Sequence, residues 1–356
     1  MIDNPIIKTL LYPLSLIFGL GVYFRNFLFD HKILKSKTYS IPTISVGNLS
    51  VGGTGKTPHI EYLVNILKPH YNIAVVSRGY RRKSKGLQVS SPDSTPEQLG
   101  DEPFQIFQKN QDITVIADGN RQRAIEYLQN LPSPPQVILL DDCYQHRYVK
   151  AGLSILLTDY SHPFYRDHLM PAGRLREPRM NKKRADIIIV SKTPNSITKE
   201  ETENIRQNIN PRNGQEVFFS CLHNPESRNI SSGKILKADK NTSVLLVTGI
   251  AKPQPIETKI QSLFHLEECL HFRDHADFSD NQIEVIKNKF YKIENESKVI
   301  VVTEKDAVKL RNHTLLDDKI KDCIYYLPLE IVFLHSEEII FNKQILNYVT
   351  ENQTNS

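Results

Sequence analysis

The chain has 356 residues, 39% hydrophobic and 24% charged, which excludes a disordered protein and leaves room for about two globular domains. Its net charge of +5 suits an anionic ligand or an anionic membrane surface and is too small to argue for nucleic acid. Cys143, Cys221, Cys269 and Cys323 lie far apart with no C-x-x-C pair, so they read as reduced thiols of a cytosolic protein with no metal site.

Residues 6–29 are almost wholly apolar and aromatic, broken by Lys8 and Arg25. The charge-free run 9–24 is 16 residues, short of the ~20 that span a bilayer as a helix. No small-residue cleavage site accompanies it. Export through such a segment would also separate the phosphate-binding loop that follows from ATP. The expectation is an uncleaved helix lying in the cytoplasmic interface or at most dipping into it. A core helix packed on the domain is the alternative.

The rest of the chain is organised around the next stretch. A β-branched run at 41–46 leads through Ser50-Val51-Gly52-Gly53-Thr54-Gly55-Lys56-Thr57 into a helix whose Ile60, Leu63, Val64 and Leu67 recur at helical spacing. Glycines there turn backbone N–H groups toward an anion at the positive end of a helix. Lys56 is placed to reach the β- and γ-phosphates of a nucleotide such as ATP, and the Thr57 hydroxyl to hold Mg²⁺. Ser50 stands where the P-loop pattern has its first glycine. A Gly-rich turn that binds nothing is the bland alternative, and the order of strand, glycines, Gly-Lys-Thr and helix argues against it.

A strand at 73–77 runs into Arg78-Gly79-Tyr80-Arg81-Arg82-Lys83. That puts cations at the carboxyl edge of the sheet, where open α/β sheets bind ligands; a solvated charge run is the alternative. Asp101 and Glu102 open an amphipathic helix, and spacing alone makes Asp101 an N-cap. A strand at 113–117 leads into Asp118-Gly119-Asn120-Arg121 and another helix. The four apolar residues 137–140 are followed by Asp141 and Asp142, as in a buried parallel strand with acids at its tip. In a P-loop enzyme one such acid helps to hold Mg²⁺. Strands at 153–157 and 187–190 flank an irregular loop with Arg174, Arg176 and Glu177, and arginine forks suit phosphate. This alternation implies a parallel sheet wrapped by helices, an α/β fold.

From about 215 the character changes. Strand-like runs at 216–220 and 324–334 bracket a further α/β unit with apolar runs at 244–248 and 299–303. The expected division is an apolar helix at 1–32, a P-loop domain at 33–214, a smaller α/β domain at 215–340 carried on two linker strands, and a helix and polar tail at 341–356. His275 lies in the second domain, where spacing alone makes a lone histidine structural more often than catalytic.

The segments 46–58, Ser77-Arg78-Gly79-Tyr80, Gly100-Asp101-Glu102-Pro103, Asp141-Asp142-Cys143-Tyr144-Gln145-His146-Arg147, 171–178 and Asp274-His275 occur in that order, followed by the Thr-Glu-Lys-Asp stretch at 303. In this combination the chain resembles, almost end to end, the tetraacyldisaccharide 4'-kinases of lipid A biosynthesis. Ser50 fits that family, which likewise lacks the first P-loop glycine. Cys143-Tyr144 departs from its Gly-Phe, and Ala276 replaces a bulkier residue; neither carries the implied chemistry. The resemblance implies a P-loop NTPase-type domain that moves the γ-phosphate of ATP to the 4'-hydroxyl of a tetraacyldisaccharide 1-phosphate. It also implies a monotopic enzyme, expected as a monomer, at the cytoplasmic face of the bacterial inner membrane. By the same resemblance Asp101 is the base and His275 its partner. Lys56 falls to the phosphates, and Thr57 with Asp142 to Mg²⁺, with Asp141 and Glu102 close by. Arg78, Tyr80, Arg121, Arg174, Arg176 and Glu177 would surround ATP or the lipid phosphate.

The rivals are a soluble P-loop kinase of small metabolites, a P-loop GTPase switch and a non-catalytic membrane-binding module. A GTPase would need Asn/Thr-Lys-x-Asp. Ser191-Lys192-Thr193-Pro194 lacks the Asp, and Thr303-Glu304-Lys305-Asp306 has its Lys displaced.

Overall fold

The computed structural model describes residues 5–80, 82–250, 253–273, 276, 278–311 and 313–353. Its β-branched runs become strands because their side chains pack well on both faces of a pleated sheet that helices cover. In chain order the strands are β1 (Thr43–Asn48), β2 (Ile73–Ser77), β3 (Gln88–Val89), β4 (Thr114–Ala117), β5 (Val137–Asp141), β6 (Leu153–Asp159), β7 (Ile187–Ser191) and β8 (Glu216–His223). They continue as β9 (Arg228–Asn229), β10 (Ser243–Thr248), β11 (His265–His271), β12 (Lys298–Thr303), β13 (Ile324–Leu327) and β14 (Glu330–Phe333). The helices that matter below are α1 (Pro5–Asp30), α2 (Lys56–Leu67), α3 (Pro96–Leu99), α4 (Asp101–Lys109), α5 (Arg121–Gln129), α6 (Lys199–Ile209) and α7 (Gln254–Leu263).

The larger sheet has the order β14-β8-β7-β6-β1-β5-β2-β4-β3, the smaller β11-β10-β12-β13-β9. In the larger one β1 lies between β5 and β6, parallel to both. The chain therefore winds to one side of β1 and later to the other. That opens a crevice beyond the carboxyl end of β1. β1 and β5 are wholly buried. Alternation sends Ile44, Val46, Val75 and Leu139 into one core with Ile60, Leu63, Val64 and Leu67 of α2. Ala74, Val76, Ile138 and Leu140 face the other way, against Ala124, Ile125 and Leu128 of α5. Burial of each such aliphatic side chain is worth about 1.5–3 kcal/mol, which makes the strand tips a rigid base for loops.

Contacts divide the chain into one unit that runs to Leu222 and resumes at Ile331, and a second, His223–Glu330. These bounds lie inside the expected 215 and 340. β8 and β14 are neighbours in the larger sheet, and Phe341, Ile345 and Val349 of the C-terminal helix Glu338–Gln353 sit in that sheet's core. The strand-like run 324–334 is in fact two strands in two sheets, interrupted at Pro328, which has no N–H to give a ladder.

α1 is 26 residues with Pro13 inside it, about 39 Å at 1.5 Å per residue. The shortfall expected from the charge-free run does not hold, because the helix continues through Arg25 to Asp30. Its mean hydropathy reaches 1.6, and only 6% of that window is buried. The core-helix alternative fails on the same observation: Leu10, Leu14, Ile17, Leu20 and Phe24 are all more than half exposed. One side is nevertheless docked. The Ser15 hydroxyl donates to the Leu169 carbonyl at 3.0 Å and accepts from the Ala172 N–H at 2.9 Å. Arg25 donates to the Gln145 carbonyl at 2.5 Å, and Arg147 pairs with Asp30 at 2.6 Å.

Candidate active site

The loop that leaves β1 is shaped by glycine. Gly52 (φ 107°) and Gly55 (φ 81°) occupy the left-handed region that a side chain would strain. A Cβ on Gly52 or Gly53 would meet no atom within 4 Å, so this stretch of the loop is open. Gly55 caps α2 without a side-chain bond, which leaves the first N–H groups of that helix for an anion. The loop is braced by side chains from the neighbouring strand ends. Asn48 donates to the Thr54 hydroxyl at 2.9 Å, and the Ser191 hydroxyl donates to the Thr54 carbonyl at 2.8 Å. Lys192, paired with Asp159 at 2.9 Å, donates to the Gly53 carbonyl. His59 is buried between the Gly55 carbonyl (2.7 Å) and the Ser220 hydroxyl (3.0 Å). Burial pushes it down to about 4, so the neutral ring donates from Nδ1 and accepts at Nε2. Sequence reasoning missed Lys192, Asp159 and His59. The available signal was that Asp159 and Lys192 end or follow the apolar runs on β1's other flank.

At the tip of β5 two adjacent carboxylates have opposite environments. Asp141 is 1% exposed; its Oδ2 accepts from the Ser77 hydroxyl at 2.9 Å, while its buried Oδ1 has no partner among the described residues. Burial first, and then the neighbouring Asp142, push its carboxyl above the usual range. Asp142 turns out of the strand at φ 46°. Burial acts to raise it too, but Lys56 at 3.6 Å and Arg176 at 3.3 Å outweigh burial and hold it below the usual range. Two titratable groups pushed apart in this way are a mark of a working site. Thr57 is the second residue of α2. An orphaned carboxylate oxygen, an ionised carboxylate and a hydroxyl form the hard-oxygen donor set that suits Mg²⁺.

The arginine loop is joined to the glycine loop by backbone. Ser50 and Leu175 form an antiparallel bridge, Val51 N–H donates to the Arg174 carbonyl at 2.7 Å, and Arg176 N–H to the Leu49 carbonyl at 2.7 Å. This holds Arg176 against Asp142 and the Gln145 amide oxygen (3.4 Å), with Arg174 partly buried on the same loop. Two expected clamps are placed otherwise. Arg121 is 2% exposed, and its guanidinium donates to the carbonyls of Asp118 (3.1 Å) and Asp141 (3.2 Å), so it ties the tips of β4 and β5 together. Glu177 is 1% exposed and accepts from Asn181 at 2.7 Å and from Arg184, which braces the arginine loop from within.

Asp101 is the first residue of α4, and its N-cap is Gly100 (φ 94°), not Asp101 itself. A Cβ on Gly100 would lie 3.0 Å from the Gly79 backbone and 3.0 Å from the Tyr80 carbonyl. Two glycines in left-handed conformation thus let the start of α4 press against the Arg78–Tyr80 turn, which brings Asp101 and Glu102 to the edge where Arg78 and Tyr80 are exposed. His146 stands near the same cations: burial, then Arg121, Arg25 and Arg78, push it down to about 4. His275 and Asp274 lie outside the described residues.

Residues 7–350 match the family described as tetraacyldisaccharide-1-P 4'-kinase. The tetraacyldisaccharide 4'-kinase of Bacteroides thetaiotaomicron is 45% identical over 97% of this chain and 94% of its own length. That of Flavobacterium johnsoniae is 42% identical over 98% of both. A crystal structure of LpxK from Aquifex aeolicus in complex with ATP superposes with a TM-score of 0.75 at 29% identity, covering 96% of this chain and 99% of that one. Matched by that family's model over residues 7–350 and 45% identical along nearly its full length to one of its members, the chain belongs to the tetraacyldisaccharide 4'-kinase family.

Proposed function

We propose that this site transfers the γ-phosphate of ATP to the 4'-hydroxyl of a tetraacyldisaccharide 1-phosphate, the reaction named in its relatives, in lipid A synthesis. The observation that carries the proposal is the constellation at the tip of β5. There an ionised Asp142 is held between Lys56 and Arg176, beside buried Asp141 and at the mouth of the open glycine loop. Loop N–H groups and Lys56 bind and orient the triphosphate, and Arg176 and Arg174, with Arg78 and Tyr80 across the crevice, receive phosphate charge. Thr57, Asp142 and Asp141, with Glu102 nearby, would hold Mg²⁺, which neutralises charge on the phosphate oxygens. A sugar hydroxyl is a poor nucleophile, and the family resemblance assigns its proton to Asp101 with His275 as partner; such help is worth about 10²- to 10⁴-fold.

The membrane side of the proposal rests on α1. Residues Ser15 to Asp30 bond along one side to the loops of the first unit while the other side is apolar and bare. That suits a helix lying in the cytoplasmic interface of the inner membrane of a monomeric, monotopic enzyme, because an acylated substrate stays in the bilayer. Removal of residues 1–30 should release the protein from membranes and raise the apparent KM for the lipid. An unchanged membrane fraction and KM would refute this part alone.

Labelled γ-phosphate offered with the acceptor lipid in detergent micelles should appear on the lipid, and on none whose 4'-hydroxyl is replaced by hydrogen. Label found only as free phosphate, or on both acceptors equally, would overturn the substrate assignment. Asp101→Ala should keep ATP affinity and lose about 10²- to 10⁴-fold in transfer. Equal transfer by the variant would reduce Asp101 to a helix-start residue.

A further inference from the structure

In the second unit three side chains of different chemistry converge where sequence spacing shows nothing. Cys269 and His271 are two residues apart on β11 and so share one face of that strand. β11 is the edge strand of the smaller sheet. Glu257 comes from the first turn of α7. The Cys269 thiol, a His271 ring nitrogen and a Glu257 carboxylate oxygen all lie within 4.8 Å of one another. His271 Nε2 is 3.2 Å from Glu257 Oε1. The other ring nitrogen, Nδ1, lies 3.1 Å from the Thr248 hydroxyl at the end of β10.

We propose that Glu257, Cys269 and His271 form a binding site for a Zn²⁺-class transition metal ion. Ligands bonded at ~2.0–2.3 Å in a tetrahedron sit about 3.3–3.8 Å apart, and the three donors need only small side-chain turns to reach that. A thiolate and an imidazole select Zn²⁺ and its neighbours over Mg²⁺, which prefers oxygen alone. The Thr248 hydroxyl supplies the outer bond that usually fixes a ligating imidazole, leaving Nε2 for the metal. Three protein ligands leave one position for water. The ion would clip α7 to the edge strand at the point where β11 ends, four residues before His275.

The test is Co²⁺ titration into the metal-free full-length protein, with Mg²⁺ and ATP in excess to fill the phosphate loop. One equivalent should bind with a thiolate-to-cobalt absorption band, and Zn²⁺ should displace it. Cys269→Ser should abolish the band, and His271→Ala or Glu257→Gln should weaken Co²⁺ affinity at least about tenfold. Zn²⁺ should also raise the melting temperature of the wild type and leave that of Cys269→Ser unmoved. A wild type with no band, or a band that survives in Cys269→Ser, would overturn the proposal.

Discussion

The tips of β5 and β12 read alike in sequence, each an apolar run that leads into acids, directly at β5 and through Thr303 at β12, and the structure makes opposite things of them. At β12 the polar atoms close on themselves. Asp306 accepts from the Thr303 hydroxyl at 2.5 Å and the Gly249 N–H at 2.9 Å, and its own N–H donates back to Thr303 at 3.2 Å. Glu304 accepts from the Leu329 N–H at 3.2 Å. At β5 one Asp141 oxygen is left without a partner among the described residues, and Asp142 is turned to left-handed backbone and set against two cations beside open glycines. A strand-end acid serves stability when its valences are met by the fold, and chemistry when they are left open opposite a positive charge.

The comparison can be broken most forcefully at its cation. Lys56→Ala should reduce transfer by roughly 10²- to 10³-fold or more, as loss of a preorganised phosphate contact does, with a modestly lower melting temperature because Asp142 loses the cation that holds it ionised. A fully active variant would show that the open tip is not the site. A smaller effect belongs to the closed tip. Thr303→Ala removes an N-cap bond and the hydroxyl partner of Asp306, and should cost about 0.5–2 kcal/mol in denaturant unfolding of the second unit while ATP affinity is unchanged. The subtlest difference is in pH. Asp142 is held below its ordinary value, so it adds stability above about 3.9 that is lost as pH falls through its folded value. Asp306 is raised, by burial above all, so its ionised form costs stability that is regained as pH falls toward 3.9. Stability of wild type relative to Asp142→Asn should therefore shrink on acidification, and relative to Asp306→Asn should grow. Parallel slopes would erase the distinction.

Much of the larger sheet was legible because each buried parallel strand is a near-continuous apolar run, and the glycine loop because strand, glycines and helix are contiguous. What escaped was set by partners remote in sequence. No spacing tells that the Arg121 fork meets the carbonyls of Asp118 and Asp141, that Lys192 reaches the Gly53 carbonyl, or that Glu257 on a helix meets Cys269 and His271 on a strand. The second unit, His223–Glu330, falls inside the expected 215–340 because pairing, which composition does not reveal, assigns the linker strands β8 and β14 to the larger sheet. Asp101 was read one position early because Gly100 caps α4 through its backbone alone.

The most direct measurement sets Asp142→Asn beside Asp306→Asn, scoring the rate of phosphate transfer to the lipid acceptor and the melting temperature of each. Asn accepts left-handed backbone, so the first variant changes charge with little strain. The account predicts a loss of roughly 10²- to 10³-fold in rate with a lower melting temperature at neutral pH for Asp142→Asn, and for Asp306→Asn a rate near that of the wild type with no loss of melting temperature. The reverse order of rates, a fully active Asp142 variant and an inactive Asp306 variant, would contradict it.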